Sequence, residues 1–197
     1  MKTLVFATNN EHKIKEINSL SARGFHIVSL AEIGLTDDIP ETEPTLEGNA
    51  LLKARYVHSR LGNDCFADDT GLEIDALDGR PGVYSARYGG IVHDFESNMS
   101  KVLEELKGIT NRKAQFRTVI ALIMNGEEYL FEGIVKGNML TEKHGTEGFG
   151  YDPIFQPEGS KLTFAEMTME EKNTMSHRAR AISKLADFLR EITVKKS

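Results

Sequence analysis

The fold is decided near the start of the chain, where residues 4–13 read L-V-F-A-T-N-N-E-H-K. The apolar residues at the front of this stretch predict a β-strand, and Ile14, Ile17 and Leu20 then recur at helical spacing. We therefore predict a strand that runs directly into a helix, with a polar turn between the two.

That polar turn has the chemistry of a phosphate site. Thr8, Asn9 and Asn10 would direct hydroxyl, amide and backbone N–H groups to one spot at the start of the helix, and phosphate oxygens fit such a spot. Lys13 lies one turn into the helix and can add a positive charge. The alternative is an ordinary helix cap with exposed polar residues.

Helical and strand signals alternate along the rest of the chain. Thr45 to Leu61 and Asp94 to Leu106 each carry an apolar helical stripe and predict helices. Ala114 to Met124 has apolar residues on both faces of a predicted strand, which indicates that the strand is buried. Asn125-Gly126 then predicts a hairpin turn into a partner strand from Tyr129 to Val135. The pattern indicates a mixed α/β protein.

Composition limits the possible functions. The chain has 197 residues, of which 40% are apolar, so it can bury one sizeable core. Its net charge of −6 argues against a surface that coats nucleic acid. Cys65 is the single cysteine, which excludes an intrachain disulfide and favours a reducing compartment. The opening apolar run is too short for a signal peptide or a membrane span. We expect a soluble cytoplasmic protein that binds neither nucleic acid nor membranes.

Adjacent acids follow another apolar run, where residues 65–71 read C-F-A-D-D-T-G. At the end of a strand, the carboxylates of Asp68 and Asp69 would repel each other and raise each other's pKa unless a cation compensates. Mg²⁺ is such a cation, because it binds through one or two carboxylates, waters and substrate phosphates. A turn in which both acids cap the next element is the alternative. The acids from Glu41 to Glu47 are typical of a surface loop unless the fold brings them to Asp69.

Residues 145–153 read G-T-E-G-F-G-Y-D-P and form the chain's densest glycine cluster. Glycine lets the backbone approach a ligand closely, so Phe149 can stack on a planar base and Asp152 can accept from a ring N–H. A tight turn before a strand at Ile154 is the alternative. The glycine spacing is not the dinucleotide fingerprint, and the chain contains no P-loop motif.

Two helix starts are predicted in residues 168–180, which read T-M-E-E-K-N-T-M-S-H-R-A-R. Thr168 and Glu171 have the spacing of a capping box, and Ser176 can begin a second helix. The second helix has an apolar face that predicts packing on a core; its members are Ile182, Leu185, Ala186, Leu189 and Ile192.

Three donors, Lys172, His177 and Arg178, are expected to converge at the junction of these helices. We expect the first turn of the second helix to hold His177 and Arg178 outward, beside a positive dipole end that favours electron-rich ligands. A solvated basic pair at a helix start is the alternative.

Six motifs in this order closely resemble the inosine triphosphate pyrophosphatase family, also called the RdgB-like dITP/XTP pyrophosphatases. They are T-N-N-x-x-K at 8–13, E-G-N-A-L-L-K-A at 47–54, A-D-D-T-G-L at 67–72, P-G-V-Y-S-A-R-Y at 81–88, G-F-G-Y-D-P at 148–153 and E-K-N-T-M-S-H-R at 171–178. Departures are small: Asn9 stands where many relatives have glycine, Glu147 where glycine is usual, and Thr70 where serine is frequent.

This resemblance implies a fold and an assembly. The implied fold is a single α/β domain over residues 1–197, elongated and two-lobed. A long mixed central β-sheet flanked by helices would run through it, with the active-site cleft between the lobes. The resemblance further implies a homodimer.

It also implies an activity, the hydrolysis of ITP, dITP and XTP to the monophosphate and pyrophosphate with Mg²⁺ as cofactor. Asp69, helped by Asp68, is expected to bind the metal and to act as general base toward water that attacks the α-phosphorus. The resemblance gives Glu41 as the other metal ligand. The residues expected to bind substrate are Thr8, Asn9, Asn10, Lys13, Lys53, Thr70, Phe149, Gly150, Tyr151, Asp152, Lys172, His177 and Arg178.

Base choice would depend on the oxygen at C6 of hypoxanthine or xanthine, to which His177 and Arg178 can donate. Adenine has an amino group there, which a buried donor cannot pair with.

Rival functions are a Maf-like nucleotide pyrophosphatase, a non-catalytic nucleotide sensor and a purely structural protein. The S-H-R and F-G-Y-D motifs argue against the first. Asp68 and Asp69 argue against the second, and the third would make every motif a coincidence.

Overall fold

The computed structural model describes residues 2–17, 25–35 and 39–195. The α-helices in these ranges are α1 (Glu11–Ile17), α2 (Leu46–Leu61), α3 (Phe95–Glu105), α4 (Met169–Met175) and α5 (His177–Lys195). The strands are β1 (Lys2–Phe6), β2 (Phe25–Ser29), β3 (Cys65–Ile74), β4 (Pro81–Gly82), β5 (Lys113–Met124), β6 (Glu127–Met139) and β7 (Phe155–Pro157).

The strands form one mixed sheet in the order β2-β1-β3-β5-β6-β7, with β4 beside β3. β1 runs parallel to both β2 and β3. β4 is antiparallel to β3, and β7 is antiparallel to β6. The predicted α/β fold with a mixed central sheet is confirmed, whereas the elongated shape and the cleft stay predictions.

Most of the locally encoded elements are also confirmed. Thr45 caps α2 by accepting a hydrogen bond from the backbone N–H of Gly48, and Gly62 ends the helix with φ +65°. Asn125 and Gly126 have φ +53° and +81°, as a two-residue turn between hairpin strands requires. The predicted helical position of Leu20 lies outside the described residues.

Contacts divide the chain into two compact units. Unit 1 contains the described residues of 1–69, 118–133 and 178–197, and unit 2 contains residues 70–117 and 134–177.

The core of unit 1 packs α5 and α1 with β1, β3 and β5. Phe6 and Phe66 stack there with their ring centroids 4.6 Å apart. The predicted apolar face of α5 is confirmed, because Ile182, Leu185, Ala186 and Leu189 are buried in this core and Ile192 packs against it.

Unit 2 has a core of its own, in which aromatic rings form the centre. Phe155 lies between Phe116 and Phe164, at centroid distances of 4.7 Å and 5.4 Å. Met99 and Val102 bring α3 onto the same core.

The prediction that a strand ends at the adjacent acids is wrong. β3 continues to Ile74, so Asp68 and Asp69 lie within the strand, at 1% and 5% exposure. Leu72 and Ile74, both buried, supply the apolar contacts that extend the strand beyond the acids. The turn alternative is thereby excluded, and both carboxylates require partners inside the fold.

No helix in the described part of the chain is long and apolar enough to cross a membrane.

Candidate active site

Asp68 is the centre of a buried ion-pair network in unit 1. Its Oδ1 accepts a hydrogen bond from Nζ of Lys13 at 2.9 Å, and its Oδ2 accepts one from Nε of Arg178 at 3.0 Å. Burial opposes the charged form, but the positive charges of Lys13 and Arg178 outweigh it, so the pKa of Asp68 lies well below its ordinary value. Asp68 is therefore a permanent anion that fixes two cations.

Asp69 has a different environment, because neighbouring residues of a strand point to opposite faces. Its Oδ1 lies 3.5 Å from Nζ of Lys53, and the same ammonium lies 2.6 Å from Oε1 of Glu41. Burial raises the pKa of Asp69, Lys53 opposes this shift, and the charge of Glu41 adds to it. Asp69 is thus a more basic carboxylate than its neighbour.

Lys53 stays charged although it is buried. Burial favours the neutral amine, but Asp69 and Glu41 outweigh that effect and raise its pKa above the ordinary value. Its ammonium contacts the carboxylates of both Glu41 and Asp69. The loop that carries Glu41 is therefore brought to Asp69, as the sequence-based metal prediction required.

The donor set suits a hard cation. Carboxylate oxygens are preferred ligands of Mg²⁺, and one or two of them suffice when substrate phosphates and waters complete the shell. Glu41 and Asp69 supply such oxygens around the Lys53 ammonium. Among the described residues no group of three or more His, Cys, Asp or Glu side chains is placed to hold a metal. The Mg²⁺ site therefore stays a prediction.

The predicted phosphate turn before α1 has a defined conformation. Oδ1 of Asn10 accepts from the backbone N–H groups of His12 at 3.0 Å and Lys13 at 3.3 Å, and Oγ1 of Thr8 accepts from Asn10 N at 3.2 Å. Asn10 therefore caps α1, as the alternative interpretation held, while Asn9 is exposed. The Lys13 side chain reaches from the first turn of α1 to Asp68.

Arg178 does not face outward, and that prediction is wrong. Its side chain is 1% exposed and lies between Asp68 and Glu16, with which it forms buried ion pairs. Two buried carboxylates need a cation between them, and this requirement draws the guanidinium inward. Both of these carboxylates belong to unit 1.

Glu16 was missed by sequence analysis. It lies on α1, is 3% exposed and pairs with Arg178. Glutamate on a short helix is usually solvated, so its residue type predicted exposure. The available signal was its position beside Ile17, on the helix face that packs against the core.

In unit 2, Lys172 and Asp152 form a buried ion pair, at 2.7 Å and with exposures of 4% and 3%. The same Oδ2 of Asp152 accepts a hydrogen bond from the backbone N–H of Phe149 at 2.9 Å. The Lys172 ammonium lies 5.0 Å from the centroid of the Phe149 ring. The pair thus fixes a half-buried aromatic ring beside a cation.

Glycine permits this arrangement. A Cβ at Gly148 would lie 2.1 Å from Oδ2 of Asp152, and the residue has φ +75°, a conformation that favours glycine. Gly150 also has a positive φ, of +67°. Close approach of this loop to a ligand stays a prediction.

His177 also belongs to unit 2, where its ring stacks on Phe116 at 4.8 Å between centroids. Phe164 lies 6.3 Å from the His177 ring and 5.7 Å from the Lys172 ammonium, so these two predicted donors surround one aromatic side chain. His177 is buried, and its expected outward position is wrong.

Two further predicted substrate residues differ in exposure. Tyr151 is buried and donates its hydroxyl to the backbone oxygen of Ser85 at 2.8 Å, which anchors the glycine loop. Thr70 is half-buried directly after Asp69 in β3. The predicted donors therefore divide between unit 1, with Lys13, Lys53 and Arg178, and unit 2, with Lys172 and His177.

Comparison with known proteins agrees with these motifs. The sequence profile of the Ham1 family matches residues 4–188. A dITP/XTP pyrophosphatase of Flavobacterium psychrophilum is 55% identical over 187 residues, which cover 95% of this chain and 98% of that protein. One of Porphyromonas gingivalis is 55% identical over 190 residues, covering 96% and 98%. A solved HAM1 protein structure from Coxiella burnetii has a TM-score of 0.90 at 36% identity, with 97% of this chain and 100% of that chain covered. The resemblance inferred from the motifs is confirmed, and the chain belongs to the Ham1 family.

Proposed function

We propose that this protein hydrolyses deaminated purine nucleoside triphosphates, namely ITP, dITP and XTP, to the monophosphate and pyrophosphate. The observation that carries the proposal is the buried carboxylate Asp69, which faces Lys53 and Glu41 in unit 1. Relatives that are 55% identical over nearly their whole length are named dITP/XTP pyrophosphatases, which supports the substrate class.

Unit 1 would bind the triphosphate. A triphosphate carries several negative charges that repel an attacking hydroxide, so these charges must be neutralised before water can attack. Lys13 and Lys53 supply two cations, and Glu41 with Asp69 would hold Mg²⁺. When bound, Mg²⁺ would neutralise phosphate charge and stabilise the leaving pyrophosphate.

Asp69 would act as the general base. A positioned base contributes about 10²–10⁴ in rate, and the Asp69 carboxylate lies beside the Lys53 ammonium, which would bind phosphate. Asp68 is held charged by Lys13 and Arg178 and would keep these cations in place. We assign Arg178 to this supporting role, because both of its carboxylate partners are buried in unit 1.

Unit 2 would recognise the base. Phe149 offers a face for stacking, and Asp152 can accept from a ring N–H. Lys172 and His177 are the donors that remain for the C6 oxygen. A site that hydrogen-bonds this oxygen rejects an amino group at the same position by about 10⁴ or more.

We further propose a cytoplasmic homodimer. The family resemblance supports the dimer, and the single buried cysteine suits a reducing compartment. Light scattering coupled to size exclusion would give twice the chain mass of 22.0 kDa if this is right. A mass of one chain would refute it.

The substrate proposal is tested by incubating the purified protein with ITP, XTP, ATP and GTP in Mg²⁺ and comparing kcat/KM. ITP and XTP should be turned over far faster than ATP, because they carry an acceptor oxygen at C6, where ATP carries an amino group. GTP shares that oxygen, so its rejection would depend on its 2-amino group. Equal rates for ITP and ATP would overturn the substrate class.

A further inference from the structure

The loop that carries Glu41 has no helix or strand of its own between residues 39 and 45. It is held against the first two turns of α2. At one end the Lys53 ammonium donates to Glu41 at 2.6 Å, and at the other end Thr45 caps the helix. A carboxylate on such a loop binds a metal more tightly when neighbouring groups hold it in position.

Asn49 fixes that backbone. Its Oδ1 accepts a hydrogen bond from the backbone N–H of Glu43 at 2.9 Å, two residues after Glu41. The Asn49 side chain is fully buried, with 0% exposure. Asn49 and Lys53 are one helical turn apart on α2 and lie on the same face, so the loop is held twice by that face.

The two polar atoms of the Asn49 side chain differ in their hydrogen bonding. Its Nδ2 is buried and has no hydrogen-bond partner among residues 2–17, 25–35 and 39–195. A buried donor without an acceptor is unfavourable, so a side chain kept only for packing would be better served by an apolar residue. The hydrogen bond to Oδ1 is therefore the contact through which Asn49 acts on the loop.

Gly48 provides independent support, because it lets the loop lie directly on the helix. A Cβ at this position would stand 2.7 Å from Cβ of Glu43 and 3.1 Å from Oγ1 of Thr45. Any larger residue would push Glu43 away from Asn49.

We propose that Asn49 is a positioning residue for metal binding. By holding the Glu43 backbone it sets the Glu41 carboxylate beside Lys53 and Asp69, where a divalent cation would be bound. This inference rests on the proposed function, in which Glu41 and Asp69 are metal ligands. Asn49 itself touches neither metal nor substrate.

The chain offers a matched control in Asn98 on α3. Asn98 is 1% exposed and also holds a loop, because its Oδ1 accepts from Gly89 N at 2.6 Å and its Nδ2 donates to Ala86 O at 3.2 Å. It differs from Asn49 in belonging to unit 2 and in having both ends of its amide bonded.

The test is the binding of Mn²⁺, measured from the electron paramagnetic resonance signal of the free ion, for the wild type, Asn49→Ala and Asn98→Ala. Asn49→Ala should bind Mn²⁺ about 10- to 100-fold more weakly, the usual effect of losing a group that orients a ligand. Asn98→Ala should bind Mn²⁺ with wild-type affinity, even if its Tm falls as far as that of Asn49→Ala. Unchanged affinity in Asn49→Ala, or an equal loss in Asn98→Ala, would overturn the inference.

Gly48→Ala keeps the experiment decisive if Asn49→Ala does not fold. It leaves the amide intact and displaces the loop, so it should weaken Mn²⁺ binding in the same direction, and unchanged affinity would count against the inference. Absence of Mn²⁺ binding by the wild type, both alone and with a non-hydrolysable ITP analogue bound, would instead refute the metal site of the proposed function and this inference with it.

Discussion

At the scale of single residues, two adjacent acids of β3 have opposite properties because their partners differ. Asp68 contacts two cations and its pKa is lowered, whereas Asp69 shares Lys53 with Glu41 and its pKa is raised. The sequence showed the pair of acids and their need for a cation. It could not divide their roles, since the partners come from distant parts of the chain.

Replacement of the proposed base should separate chemistry from folding. Asp69→Asn keeps the shape of the side chain and removes its basicity, so kcat for ITP should fall by about 10²–10⁴. Circular dichroism should show an unchanged fold. Asp75→Asn alters an exposed acid just after the same strand and should leave kcat near normal. Near-normal turnover by Asp69→Asn would show that another group is the general base.

Arg178 provides a test of the buried network. Arg178→Ala would leave Glu16 and Asp68 as buried carboxylates without this partner, which costs about 3–5 kcal/mol in the free energy of unfolding. Arg190 is the control on the same helix, because its pair with Asp187 is exposed and contributes about 1 kcal/mol or less. Urea denaturation measures both values, and equal losses in the two variants would contradict the assignment.

At the scale of elements, the sequence was most informative where a signal is local. The capping box of Thr168 and Glu171 is present as predicted, with hydrogen bonds of 2.8 Å and 3.2 Å. His177 and Arg178, in the first turn of α5, were predicted to face outward and are buried. That error arose because the position of Arg178 is set by Glu16 and Asp68, and no periodicity within α5 encodes them.

The glycine loop of unit 2 makes a prediction at this scale. Gly148→Ala would place a methyl group against the Asp152 carboxylate and displace the loop that holds Phe149, so kcat/KM for ITP should fall by about 10²-fold. Gly159 also has a positive φ, of +81°, but nothing lies within 4 Å of its Cβ position. Gly159→Ala therefore controls for backbone strain. Similar losses in both variants would show that strain and not the Asp152 contact is responsible.

At the scale of the whole molecule, two units with separate cores divide the site residues between them. The alternation of helical and strand signals predicted the α/β class, and the order of the motifs indicated the family. The sequence did not predict that the chain divides into two units after Asp69. The strands β3, β5 and β6 each contribute residues to both units, but the sequence pattern of each is that of one continuous strand.

Cys65 reports on the stability of unit 1. Burial, with a contribution from Asp64, raises the pKa of its thiol to about 12, and Sγ donates to the backbone oxygen of Ala54 at 3.2 Å. The thiol should therefore stay protonated and unreactive toward iodoacetamide at pH 8, and should react fully in denaturant. Mass spectrometry gives the extent of alkylation. Rapid alkylation of the native protein would contradict the packing of β3 against α2.

The bond that is cut tests the central claim most directly. Hydrolysis of ITP in H₂¹⁸O with Mg²⁺, followed by mass spectrometry of the products, locates the phosphorus that water attacks. Attack at the α-phosphorus, with Asp69 as base, predicts labelled inosine monophosphate and unlabelled pyrophosphate. Label in the pyrophosphate, or release of orthophosphate with a diphosphate product, would contradict the account.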